Sequence, residues 1–167
     1  MLLDAPRLEM NGEALIDEAL APNRFSFEQL SEDLRACVSE QELVRLVENS
    51  VERVTRCIDG RDYTRVREVL LGVVTYFYAI GVYGSDEIAS ALATNLNGDS
   101  LHAIAFDNAE PSVVIRRFRR AHRASLENCL CDVLKAVCPG GSEGDAGMEA
   151  NRRVINAIQV DSCALDL

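Results

Sequence analysis

The stretch VLLGVVTYFYAIGVY, residues 69–83, is apolar on every side of a helix, and the chain carries no charge between Glu68 and Asp86. A helix needs about 18 to 20 apolar residues to cross a bilayer, and this run is shorter and is flanked by acid as well as base. It therefore reads as a buried helix, spanning about residues 63–83, and not as a membrane span. A helix that is hydrophobic all round needs other elements against all of its faces. The segments before and after it are expected to supply that coat. The fold class that follows is all-α: a bundle of about five to seven helices around a central one, with no sheet of consequence.

The coat can be followed along the chain. Residues 1–21 are weakly amphipathic around Leu8, Leu15, Ile16, Ala19 and Leu20, with the first ten residues expected to lack order, and Phe25 to Val38 reads as a short helix carrying Phe27, Leu30, Leu34 and Val38 on one side. Ser39 and Glu42 have the spacing of a capping box, in which each side chain satisfies a backbone donor of the first turn. The helix they open carries Leu43, Leu46, Val47, Val51, Val54 and Ile58 at spacings of three and four and closes near Asp59 and Gly60. Gly72 inside the central helix points to close approach of a neighbour, and Gly81 and Gly84 bracket its exit. Ser85 then caps a short helix over 86–94, whose Asp86 and Glu87 suit the positive end of the helix dipole. A short piece near Leu101 to Phe106 follows, and Pro111 announces the next start.

Bulk composition sets outer bounds. With 167 residues, 48% of them hydrophobic, the chain can bury a core, and residues 1–138 are expected to form a single helical domain. PGGSEGDAG at 139–147 reads as a flexible linker before a tail at 148–167 whose Val154, Ile155, Ile158 and Leu165 on one side suggest a docking helix or a remnant of a longer domain. The six cysteines include no CxxC pair, and neither His102 nor His122 stands at ligand spacing from one, so buried reduced thiols are expected in place of a zinc site. The N-terminus MLLDAPRLEM has an acid at position 4 and no long apolar run, so no secretory leader is expected and a cytoplasmic location is. No phosphate loop, nucleophile elbow or dinucleotide fingerprint occurs. A non-catalytic protein with no cofactor and no small-molecule substrate is the expectation.

The most informative segment is about Ser112 to Val137, read as one helix. At 100° per residue, Ile115, Phe118, His122, Leu126, Val133 and Val137 share a face, Arg116, Arg120 and Arg123 lie opposite, and Arg117 and Arg119 occupy the flanks. The first three turns thus form a cationic collar. Guanidinium groups make forked bonds to phosphate oxygens and guanine edges, the chemistry a DNA-reading helix needs. The formal net charge of −10 offers the other reading, in which carboxylates of the same chain or of a second copy pair with these arginines.

YAIGVYGSDEIASAL at 78–92 and EPSVVIRRFRRAHRASL at 110–126 carry a resemblance. The block from about Arg65 to Val137 resembles the helical N-terminal domain of bacterial insertion-sequence transposases of the DDE type. The first motif is similar to that family's aromatic and Gly/Ser turn leading into a helix, the second to its Pro-started helix with an RFRR signature. The resemblance implies a helix-turn-helix-like trihelical unit that helps to bind DNA ends. It makes Arg117, Arg119 and Arg120 the RFRR arginines, with Phe118 anchoring the helix and Arg116 and Arg123 extending the collar. Val114 departs from the polar residue the family commonly has before the Ile of this helix. The residues that follow are not expected to supply the family's catalytic domain, so Asp161 in the VDS at 160–162, although similar to the start of a transposase active-site strand, is not expected to be catalytic.

Two functions from different classes follow. One is a non-catalytic DNA-binding domain, regulatory in character, contacting DNA through Arg116, Arg117, Arg119, Arg120 and Arg123. The other is a helical interaction or oligomerisation module without DNA affinity, with those arginines in ion pairs within a homodimer. A masked form of the first, in which the acidic N-terminal half covers the collar, lies between them.

Overall fold

The computed structural model of the protein describes residues 38–57, 64–95, 106, 109–137 and 143–165. The elements expected at 1–21 and 25–37, and most of the short piece near 101–106, lie outside the described residues. Within them the chain forms six helices: α1 (Glu40–Cys57), α2 (Arg65–Ala79), α3 (Ser85–Asn95), α4 (Pro111–Ala121), α5 (Arg123–Val137) and α6 (Glu143–Leu165). There is no strand among the described residues, and the all-α expectation holds.

Every residue of α2 from Val69 to Ala79 is buried, so the apolar run is the central helix. Helices α1, α4, α5 and α6 all pack on it, while α3 packs on α4 and α6 lies along α5. No described helix is long and apolar enough to cross a membrane. Amphipathic α1 turns Leu43, Val44, Val47, Val51 and Val54 inward. Of the expected capping box the Ser39 half is present: the Glu42 N–H donates to Ser39 Oγ at 3.3 Å. Ser50 Oγ donates to the Cys129 carbonyl at 3.1 Å, and Arg53 Nε to Asp132 Oδ2 at 2.7 Å, which ties α1 to α5. Burial pushes the Cys129 thiol up to about 12, and Cys57, Cys129 and Cys131 are free thiols.

The central helix stops at Ala79, four residues earlier than its apolar pattern continues. Apolarity continues because Ile80 and Val82 are also core, but the backbone turns at Gly81, whose φ is +88°. The Val82 N–H reaches the Phe77 carbonyl at 2.9 Å and the Gly81 N–H reaches Tyr78 at 3.2 Å, the paired bonds of a Schellman close. A second departure lies at His122, where φ −118° and ψ 29° divide the expected 112–137 helix into α4 and α5. Neither Gly nor Pro marks that break in the sequence. It redirects the chain so that α4 covers α3 while α5 reaches α1 and α6, so packing and not local propensity sets it.

The third departure concerns the expected linker. Residues 143–147 of it belong to α6. The inward side of α6 is Ala150, Val154, Ala157 and Asp161, with Ala146 partly buried, a seam of mostly small side chains at spacings of three and four that lets α6 lie close to α5. At Gly147 an added Cβ would stand 4.0 Å from Cys131 Sγ, so that glycine faces a neighbouring helix. The tail is therefore part of the same core as α1 to α5.

Gly81→Ala should lower stability by about 1–2 kcal/mol, the cost of a left-handed L-residue. A Cβ there meets nothing within 4 Å, so the loss is conformational and Gly81→Asn should lose less. Urea unfolding with an unchanged m value checks both.

Candidate functional site

The arginine-rich helix begins at Pro111 without a side-chain cap: Glu110 takes the extended conformation and accepts from Ser112 Oγ at 3.1 Å. The inward side of α4 is Ser112, Ile115, Phe118 and Arg119. Phe118 is the core anchor its position predicts, and its ring stacks on His122 with centroids 4.6 Å apart. Burial and the nearby Arg67 charge together hold His122 below its ordinary pKa.

The five collar arginines do not share one surface. Arg117 and Arg120 are exposed, as expected. Arg123 opens α5 and donates through Nε to Glu127 Oε1 at 2.7 Å. Arg116 folds back on its own helix: its Nη2 donates to Ser112 Oγ at 3.0 Å, its Nε to the Ser112 carbonyl at 3.3 Å, and it stands 3.8 Å from Asp86 Oδ1 with only 18% of its side chain exposed. Arg119 is the correction. It is 0% exposed and cannot reach a nucleic acid in this conformation.

Arg119 instead organises a buried polar knot. Its Nη2 pairs with Asp161 of α6, which is 3% exposed. Its Nη1 donates to the Tyr83 carbonyl at 3.2 Å and reaches the Tyr78 hydroxyl at 3.5 Å. The other oxygen of Asp161 accepts from the Ser85 N–H at 3.0 Å, at the start of α3. Burial raises the Tyr78 hydroxyl above its ordinary pKa, against the opposing pull of Arg119, which keeps it a neutral hydrogen-bond partner. Two charges taken from water cost several kcal/mol each, which the bonds to Tyr83, Tyr78 and Ser85 offset in part, while Arg119 Nε and Ser85 Oγ are buried without a hydrogen-bond partner.

A second arginine secures the other side of the same turn. Arg153 Nη1 donates to the Tyr78 and Ala79 carbonyls at 2.9 and 2.8 Å, placing a cation on the C-terminal end of α2. Glu149 receives Arg153 Nε at 2.7 Å and both Arg152 Nε and Nη2 at 2.8 and 2.7 Å. Those bonds, from Arg152 first and then Arg153, hold the Glu149 carboxyl down at about 2. The whole YAIGVYG turn is thus gripped from α6 and α4, with Asp161 as a structural anion.

Beyond this knot, an open groove of about 430 Å³ runs over the outer side of α6, lined by Gly147, Met148, Asn151, Arg152, Ile155 and Asn156. Met148 is 68% exposed and Val160 46%. No group of three His, Cys, Asp or Glu side chains suited to a metal ion occurs among the described residues. The helices that would form a helix-turn-helix pair, α3 and α4, do pack together, but residues 96–110 separate them in place of a turn of about three or four residues. Compared with known protein families, with curated proteins and with solved structures, the chain matches none.

Two outcomes are expected from this geometry. Arg119→Met should cost about 3–5 kcal/mol, because Asp161 is left buried and uncompensated, and the loss in Arg119→Met/Asp161→Leu should fall short of the sum of the single losses. A double-mutant cycle in urea measures that coupling. The depressed Glu149 carboxyl adds stability that is complete above its unfolded value near 4.5 and disappears as pH falls toward about 2. The stability gap between wild type and Glu149→Gln should therefore close between about pH 4.5 and 2, as read by thermal melts across that window.

Proposed function

We propose that the protein is a non-catalytic DNA-contacting module that presents Arg117, Arg120 and Arg123 from the junction of α4 and α5. The observation that carries this reading is the outward placement of Arg117 and Arg120 on a helix whose opposite side is locked into the core by Ile115, Phe118 and Arg119. A helix so anchored offers its cations on a rigid support, which limits the ordering cost of binding. Arg67 adds positive charge near His122 at the same junction. The resemblance of residues 65–137 to transposase N-terminal domains supports the same reading, with Arg119 now assigned to structure. Arg116 contributes only if it leaves Ser112 and Asp86.

The contact is electrostatic and small. Three arginines that each neutralise one phosphate give a slope of log K against log salt of about −2.7. Fluorescence anisotropy with labelled duplex DNA at several salt concentrations should show a slope of that order, lost in Arg117→Ala/Arg120→Ala/Arg123→Ala while circular dichroism and melting stay unchanged. Retention of binding by the triple variant would remove these residues from the interface, and absence of binding by the wild type at low salt would remove the function.

A second reading has its own support. The net charge of −10, together with Met148, Ile155 and Val160 along the outer side of α6, suits a helical module that pairs with another protein or a second copy of itself. Concentration-dependent sedimentation that Met148→Lys abolishes, without DNA affinity at low salt, would favour it.

A further inference from the structure

The described structure begins at Val38, and the register of α1 fixes where the preceding chain arrives. Ser50 meets the Cys129 carbonyl and Arg53 meets Asp132, both at a separation of 79 residues, so α1 and α5 run side by side in the same direction. That offset puts Val44 level with Arg123, and Glu40, the first residue of α1, one helical turn or about 6 Å further along. The central helix gives the same level independently. Tyr76 donates to Glu40 Oε1 at 3.4 Å on one side of it, and Tyr78, two residues on and on the opposite side, is reached by Arg119 at 3.5 Å. The chain before Val38 therefore arrives at the level of the junction of α4 and α5, next to the start of α5. Charge there is complementary: residues 1–37 hold eight acidic and three basic residues, a net −5. Among the described residues Arg117 and Arg120 take part in no ion pair, and Arg123 shares Glu127.

We propose that residues 1–37 of the same chain occupy this cationic surface in the free protein, with Glu32 and Asp33 nearest to Arg117, Arg120 and Arg123. Asp33 is five residues before Val38, a reach of roughly 17 Å for extended chain. A segment tethered so close acts at an effective concentration of about millimolar order, so a weak contact suffices to hold it. The contact itself is independent of what the arginines bind. Its consequence rests on the DNA-contacting reading: duplex DNA must displace the segment, which therefore sets affinity by competition.

Zero-length cross-linking in the full-length chain tests the contact. Arg117→Lys/Arg120→Lys/Arg123→Lys keeps the charge and supplies amines that a carbodiimide joins to any carboxylate they touch. The amine introduced in place of Arg123 should couple to Glu127, which reports that the reaction works. Mass spectrometry of the monomer should also find links from the introduced amines to acids of residues 1–37, depleted in about 1 M sodium chloride, where screening acts beyond about 3 Å. Links to Glu127 without any to residues 1–37 would overturn the contact, and links only between two copies would assign the surface to a second copy. Competition is read by DNA anisotropy at low salt. Glu32→Gln/Asp33→Asn should bind about threefold more tightly than wild type. Glu52→Gln/Asp145→Asn, which removes the same charge from exposed positions of α1 and α6, should change affinity far less. Equal gains in both would overturn the competition. Absence of DNA binding in every variant would remove the DNA-contacting reading, and the cross-links would still decide the contact.

Discussion

The ion pair between Arg119 and Asp161 is the constraint on which the rest of the molecule depends. It joins α4 to α6 through the core and, by way of the Tyr83 carbonyl and the Ser85 amide, fixes the turn by which the central helix passes into α3. A buried pair of this kind is weak evidence for net stability, since apolar residues of similar volume often do as well. Its contribution here is register. The inward seam of α6 is small and smooth, and Ala150, Val154 and Ala157 alone would permit a slide along α5. A charge that must meet one guanidinium, and an arginine at Arg153 that must meet two helix-end carbonyls, leave only one position.

The same pair separates the structural from the available charge in the arginine-rich helix. Five arginines lie within eight consecutive positions, and a count treats them alike. Their surroundings do not: Arg119 is consumed by the core, Arg116 is bound to Ser112 and near Asp86, Arg123 shares Glu127, and Arg117 and Arg120 face outward. Sequence charge therefore overstates the cationic surface of α4. That matters for an acidic protein, in which a few exposed cations must act against a field of opposite sign.

Much of the fold is legible in the sequence. The run from Val69 declared itself as the centre because nothing charged interrupts it, and the periodicity of α1 placed Leu43, Val47, Val51 and Val54 inward, with Leu46 partly buried, Val44 and Ser50 unforeseen and Ile58 outside the described residues. What escaped has physical reasons. Glycines at 144 and 147 look like a linker by composition, yet a helix packed against a neighbour tolerates them. The break at His122 carries no Gly or Pro because it answers to packing on two different sets of helices. Arg119 was readable in principle: four residues after Ile115, it falls 40° away on the apolar stripe, and a charge there needs a buried partner. Identifying that partner as Asp161 was beyond the pattern, since the contact joins helices that are not neighbours in the sequence.

The order of the helices along the chain gives the knot a further consequence. During synthesis Arg119 is made before Asp161, as are Tyr78, Tyr83 and Ser85, the other groups that Arg119 and Asp161 hold. A bundle of α2 to α5 alone would enclose the Arg119 guanidinium with no anion, a costly arrangement. Docking of α6 supplies that anion and, through Arg153, the donors for the Tyr78 and Ala79 carbonyls. The last described helix to be made therefore carries the groups that the earlier ones leave without partners.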